Sequence, residues 1–267
     1  RVIFPDLTEK CLTEEGYVLE KHLFERWIAE EAALAGAKIH LSHKLRSMER
    51  IESGKFGTWL CDGKGDQFPI EAKVVIDASG VAAICSRLIK TPDEKPLNEK
   101  GKVVAGMQYE LTSVPTDDYL DFYIWPSYAE KGYLWMIPKC DGRANVGLVT
   151  EDRPRAKKAL DEFIENTHFK DLEQTLPQWK EKGSPAFGGT IPISGPFKNT
   201  HYEGLMLVGD AAGFTSPLFE GGSHLALKSA VYAAETAAEA ISEEDTSSEK
   251  MSEYTKKWKA EFPPYDK

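Results

Sequence analysis

The residues predict an α/β fold with two kinds of sheet, and three observations carry that expectation. Two short apolar runs, Val74-Val75-Ile76 and Leu205-Met206-Leu207-Val208, read as buried strands, each ending on a turn of small residues that leads toward a helix. Between them, the runs GMQYELT, YLDFYIWP, GYLWMIPK and RANVGLVT alternate with period two and are separated by short turns such as Glu130-Lys131-Gly132 and Asp141-Gly142. They read as an antiparallel meander. Helical spacing recurs in the rest, most clearly at Leu23, Phe24, Trp27, Ile28 and Leu34, with Gly36 as the stop signal.

With 267 residues, 41% of them hydrophobic, the chain can fill one large core or two smaller ones. A net charge of -10 gives no basic footprint for nucleic acid and no polybasic attraction to anionic lipid. No apolar run reaches the length of a bilayer span; Leu225 to Ile241 is interrupted by Lys228, Glu235 and Glu239. The first ten residues lack the charged-then-apolar pattern of a signal peptide. Cysteines at 11, 61, 85 and 140 form no CxxC, so neither a zinc site nor a disulfide framework is expected, and reduced thiols in the cytoplasm fit the pattern. His40 and His43 have HxxH spacing without further ligands nearby, and read as surface histidines rather than a metal site. Arg1 falls in what reads as the middle of a strand, so the sequence reads as a piece of a longer chain.

Along the chain, a strand end at 2 to 4 precedes a helix over 19 to 35. A strand over 37 to 41 and a Gly-punctuated hairpin over 54 to 70 follow. The strand Lys73 to Asp77 ends on Ala-Ser-Gly and leads into a short helix through Arg87. The Pro- and charge-rich stretch 91 to 100 marks a crossing into the antiparallel sheet. After that sheet comes an amphipathic helix with Leu160, Phe163, Ile164 and Thr167 on one face. GGTIPISGP then returns the chain to the first domain. Helices over 223 to 241 and 248 to 262 close the sequence. The expected partition is 1–92, 93–187, 188–241 as the second part of the first domain, and 242–267 as a C-terminal helical segment.

The strand leading into Gly209-Asp210-Ala211-Ala212-Gly213 is the most specific motif. A phosphate-bearing cofactor needs backbone N–H groups that approach closely, hence small residues, and a carboxylate in the turn can accept hydrogen bonds from sugar hydroxyls. The segment resembles the second flavin fingerprint of p-hydroxybenzoate-hydroxylase-like FAD enzymes. That resemblance implies that Asp210 binds the ribityl chain and that Ala211 and Ala212 offer main-chain contacts. Gly221 and Gly222 precede a long helix, whose positive end suits the charge of a reduced flavin. Glu220 and His224 lie nearby and read as surface or structural groups. Val74 to Gly80, with Arg87, resembles the family's ADG...S..R segment, with Ser79 where Asp is frequent. YVLEKHLFERWIA resembles another family pattern, with Lys21 and Glu25 at its charged positions; Lys21 keeps the charge of Arg without its fork.

On a strand, Tyr133, Trp135 and Ile137 share one face and make a wide apolar wall. Gly132 to Lys139 resembles the YxWxFP substrate motif of geranylgeranyl reductases, with Ile137 in place of Phe. The NVGL strand and the run GDAAGF..PL..GG fit the same family, and the resemblance covers nearly all of residues 16 to 260.

The resemblance implies an FAD-binding Rossmann-like domain, incomplete here, with an antiparallel-sheet substrate domain. It also implies a flavin-dependent reductase that hydrogenates isoprenoid C=C bonds of a lipid or pigment precursor, with electrons from a donor such as ferredoxin or NADPH. Prenyl substrates bring an expectation of peripheral membrane contact. An FAD monooxygenase or halogenase, an electron-transfer flavoprotein dehydrogenase of the FixC kind, and an isolated binding fragment are the competing expectations. The sequence contains no GxGxxG, so this chain alone is expected to bind FAD weakly and to be inactive.

Overall fold

The computed structural model describes residues 1–12, 16–53, 56–64, 70–89, 96–99, 101–112, 114, 117, 119–167, 186–216 and 221–262. In chain order the strands are β1 (Val2–Ile3), β2 (Glu9–Lys10), β3 (Lys44–Ser53), β4 (Phe56–Lys64), β5 (Ile70–Ala72), β6 (Val75–Asp77), β7 (Val103–Leu111) and β8 (Asp121–Tyr123). They continue as β9 (Tyr133–Pro138), β10 (Ala144–Thr150), β11 (Phe187–Pro192), β12 (His201–Tyr202) and β13 (Leu205–Leu207). The helices are α1 (Lys21–Leu34), α2 (Ile84–Leu88), α3 (Ala156–Asn166), α4 (Ser223–Ser242) and α5 (Ser248–Glu261). The chain divides into two compact units, Arg1–Ile39 with Val104–Thr190, and His40–Val103 with Ile191–Lys267.

The first unit is built on a seven-stranded sheet in the order β11-β7-β10-β9-β8-β1-β2. Period-two alternation turns Tyr109, Leu111, Tyr123, Leu134, Met136, Val146 and Leu148 to one face, where they form a buried core. Helix α3 covers that face because Ala156, Ala159, Leu160, Phe163 and Ile164 recur at three- and four-residue spacing and are all buried. Its last turn closes where the Thr167 hydroxyl donates to the Phe163 carbonyl at 2.7 Å. The opposite face of the sheet carries the half-buried residues taken up below.

In the second unit β6 and β13 run parallel and β12 pairs antiparallel with β13, while β3, β4 and β5 form a separate antiparallel sheet. Leu205, Met206 and Leu207 are fully buried, as the unbroken apolar run predicts. Helix α5 packs Met251, Tyr254 and Trp258 into the same core, and the Tyr254 hydroxyl donates to the Leu207 carbonyl at 2.6 Å. The Ser247 hydroxyl caps α5 by accepting from the Lys250 amide.

Four expectations are corrected. Residues 1–39 group with the large sheet rather than with the rest of 1–92. Strand β1 joins that sheet beside β8, and the Arg1 guanidinium pairs with buried Asp121 at 2.7 Å. The helix expected in the C-terminal segment 242–267 is present as α5, but it shares the core of the second unit rather than standing apart from it. The large sheet is not a simple meander: β7 pairs with β10, not with its sequence neighbour β8. Residues 37–41 form no strand, and β3 begins at Lys44, where its ladder with β4 starts. Among the described residues, no helix is long and apolar enough to cross a membrane.

Candidate functional site

The parallel pair β6 and β13 positions the first group of residues. The backbone leaves the carboxyl ends of both strands through 3-10 turns, Gly80–Ala82 and Gly209–Ala212, and these turns pack against each other. The crevice outside the carboxyl ends of parallel strands is where α/β sheets receive ligands. Gly209 at φ +53° and Gly213 at φ +78° adopt the left-handed region that the tight turn requires. The Gly209 amide donates to Ser229 Oγ at 3.0 Å, which ties the turn to α4, and Ala211 and Ala212 are fully buried.

Asp210 and the start of α4 come together. A Cβ built on Gly222 would lie 3.2 Å from Asp210 Oδ1, so the carboxylate stands beside the helix N-terminus. The Ser216 amide donates to the Gly221 carbonyl at 2.8 Å, and a Cβ on Gly221 would meet nothing within 4 Å among the described residues. All seven predicted residues, Gly209 to Gly213 with Gly221 and Gly222, therefore sit around one turn and one helix end. The N-cap of α4 is Gly222, which has no side chain to cap the helix. His224 is exposed in its first turn, and the Pro217 to Glu220 part of the glycine loop lies outside the described residues.

Asp77 takes a different part from a ligand contact. It is 3% exposed and accepts from the Ser79 amide at 2.9 Å and the Cys85 amide at 2.8 Å, while Ser79 Oγ accepts from the Ile84 amide at 2.8 Å. These bonds fix the Ala-Ser-Gly turn and the start of α2. Next to α2 lies a cavity of about 580 Å³ lined by Lys44, Leu45, Arg46, Ile84, Arg87 and Leu88. Three cations beside three aliphatic side chains suit an anionic ligand with an apolar part. Arg87 was expected here; Lys44 and Arg46 were not, and their only sequence signal is two cations at the mouth of a strand.

The second group of residues lies in the other unit. Leu134 and Met136 point into the core under α3, so Tyr133, Trp135 and Ile137 share the opposite, half-buried face of β9. The aromatic row extends to Phe122 on β8, whose ring lies 5.6 Å from that of Tyr133, and the Tyr133 and Trp135 rings lie 5.9 Å apart. The same face carries Gln108 and Glu110 on β7 and Asn145 on β10, whose Oδ1 is buried without a hydrogen-bond partner among the described residues. The sequence reading missed these polar residues, although the alternation of β7 and β10 puts them opposite the core.

An ion network closes the end of this face. Glu20, just before α1, accepts from Lys139 at 2.9 Å and Arg143 at 2.7 Å, and Arg143 also donates to Glu110 at 2.8 Å. Hydrogen bonds from Lys139 and then Arg143 hold the Glu20 carboxyl below the usual carboxylate range. The bonds to Glu110 and Glu20 raise the Arg143 guanidinium further above neutrality. Lys21 and Glu25 make an exposed pair at 3.4 Å on α1 and join neither group.

Comparison with known proteins meets this geometry on both sides. A family model described as the geranylgeranyl reductase catalytic domain matches residues 103–178, the stretch that carries the aromatic row. The digeranylgeranylglycerophospholipid reductase of Methanocaldococcus jannaschii is 36% identical over 257 residues, covering 94% of this chain and 62% of that protein. Its counterpart in Methanosarcina acetivorans is 34% identical over 274 residues, covering 97% and 64%. The chain thus spans less than two thirds of the length of these relatives. A geranylgeranyl bacteriochlorophyll reductase-like protein from Thermoplasma acidophilum superposes with a TM-score of 0.82 at 30% identity, over 98% of this chain and 66% of that one. The flavin-dependent halogenase CmlS shares the fold, with a TM-score of 0.61 at 20% identity over 91% of this chain and 44% of its own. A glycine turn at the end of a parallel strand pair and an aromatic row on an antiparallel sheet thus stand in a chain that is similar to geranylgeranyl reductases along nearly its whole length.

Proposed function

We propose that this chain is the greater part of an FAD-dependent reductase that hydrogenates the isoprenoid C=C bonds of a geranylgeranyl glycerophospholipid. The observation that carries the reading is the aromatic row Phe122, Tyr133 and Trp135, extended by Ile137, on the sheet face that α3 leaves uncovered. A prenyl chain offers a protein no polar group to grip. Each buried CH2 contributes roughly 0.8 kcal/mol, so a long apolar wall is a sufficient means of holding it. The glycerophospholipid follows from the names of the relatives, and it favours a lipid over the pigment alternative.

The residues of the second unit fit FAD. Gly221 presents open space where a side chain would stand, Asp210 stands beside the helix end, and the cation-lined cavity adjoins the turn system through α2. Asp210 would hold ribityl hydroxyls, the backbone of Ala211 and Ala212 and the first turn of α4 would meet the ring system, and Lys44, Arg46 and Arg87 would face the anionic end of the cofactor. When bound, FAD supplies the hydride for addition to a double bond. The chain's own part is to fix that group, to hold the apolar chain and to exclude water from it. Asp210→Ala in the intact protein is expected to weaken FAD binding by roughly 1.5–3 kcal/mol, the range for a hydrogen bond to a charged group. Titration of the variant with FAD checks this, and unchanged affinity would reduce Asp210 to a turn residue.

The reaction is tested by incubating a geranylgeranyl lipid with the FAD-loaded, dithionite-reduced intact protein without oxygen, followed by mass spectrometry. Mass gains in steps of two hydrogens, independent of halide, support the proposal. Oxidation or halogenation that needs oxygen would instead move the protein to the monooxygenase or halogenase class. Dithionite bypasses the natural donor, so the outcome does not depend on whether ferredoxin or NADPH serves.

A further inference from the structure

On the sheet face away from α3, the Trp135 side chain reaches across a whole strand. Its Nε1–H donates to Gln108 Oε1 at 3.2 Å. Gln108 lies on β7, and β10 runs between β7 and β9. The contact forms because β10 has no side chain at the crossing point. Gly147 pairs with Trp135 on one side and with Gln108 on the other. A Cβ on Gly147 would stand 2.5 Å from the indole Cζ2 and 2.6 Å from the Gln108 Cβ, so any other residue there would drive the two apart. An indole N–H in a part-buried setting needs an acceptor, and Gln108 supplies it.

We infer that Gln108 is a positioning residue for Trp135: through the indole N–H, across Gly147, it fixes the aromatic wall along which a prenyl chain is aligned. The inference rests on the prenyl-chain reading above. An apolar chain is aligned by shape alone, so a wall that swings between rotamers would hold it in several registers. Gln108 removes that freedom without touching the reacting atoms. It therefore acts on substrate affinity rather than on the rate of the chemical step.

The test separates the contact from its consequence. In protein labelled with 15N-tryptophan, the indole signal lost in Trp135→Phe identifies Trp135 among the six tryptophans. Gln108→Leu should shift that signal upfield and speed its exchange with water, while Gln108→Glu, which keeps an acceptor, should restore the shift. In the FAD-loaded intact enzyme, Gln108→Leu should raise KM for a geranylgeranyl lipid about fivefold with kcat within about twofold, as loss of one hydrogen bond acting on binding implies. In the Trp135→Phe background the same substitution should add nothing. An unmoved indole signal in an enzyme that reduces the lipid overturns the inference and leaves the proposed function standing. So does a KM effect that persists in the Trp135→Phe background. An intact, FAD-loaded wild-type enzyme that neither binds nor reduces the lipid overturns the prenyl reading itself, and the role of the wall with it, even where the indole shift confirms the contact.

Discussion

Gly132→Ala is expected to destabilise the seven-stranded unit by about 3 kcal/mol, the upper part of the usual range for overpacking. The reason is steric and local. A Cβ at this position would stand 1.9 Å from the Val149 carbonyl oxygen, 2.7 Å from its carbon and 3.1 Å from Thr150 Cα. All are backbone atoms of β10 or its end, so no rotamer change relieves the overlap. Gly132 is not among the glycines with positive φ, which leaves the clash as the only source of the cost. Gly189→Ala in β11 is the matched control, since its Cβ would meet nothing within 4 Å and its φ is not positive. That variant should be neutral or gain about 0.4–1 kcal/mol from the stiffer unfolded chain. Urea denaturation gives the stability difference, and hydrogen exchange over residues 133–150 shows whether the loss falls on β9 and β10. Equal protection in the two variants would mean that β9 does not enter the sheet as described.

The face of β9 was legible because its signal is purely local. A strict period of two sends Leu134 and Met136 one way and Tyr133, Trp135 and Ile137 the other, whatever lies next to the strand. Strand order was not legible, because the pairing of β7 with β10 depends on residues far apart in sequence. Alternation at 37–41 misled for a related reason: it marks a half-buried surface and says nothing about a hydrogen-bonding partner, which first appears opposite Lys44. The glycine turn and α4 could be read because the strand, turn, glycine loop and helix are consecutive in the sequence. Asp77 could not be assigned its capping bonds, since its acceptor role emerges only when the chain folds back to present the Cys85 amide. Gln108 was invisible for the same reason. A glutamine on β7 becomes a partner of Trp135 only once Gly147 lies between them.

Gly213→Ala is the second large effect expected, and it separates the fold of the turn from its proposed ligand. Gly213 sits at φ +78°, where an L side chain costs roughly 1–2 kcal/mol. Its Cβ would also stand 2.4 Å from the Gly195 carbonyl oxygen, a backbone atom that cannot step aside, and overpacking of this kind adds about 1–3 kcal/mol. Together these should lower the denaturation midpoint of the second unit sharply and take FAD binding down with it. Loss of binding in this variant alone proves little, because an unfolded turn binds nothing. Gly221→Ala supplies the missing comparison. Its Cβ would meet no atom of the described residues within 4 Å and its φ is not positive, so folding stability should stay within about 0.5 kcal/mol. If the flavin lies against the open side of Gly221, the added methyl intrudes on it, and FAD affinity should fall about tenfold, or 1.4 kcal/mol. The two variants therefore dissociate: one loses stability and binding together, the other loses binding alone. A Gly221→Ala protein that binds FAD as tightly as wild type would move the flavin away from the start of α4. The Gly209–Gly213 turn would then be an element of the fold that ties α4 to β13.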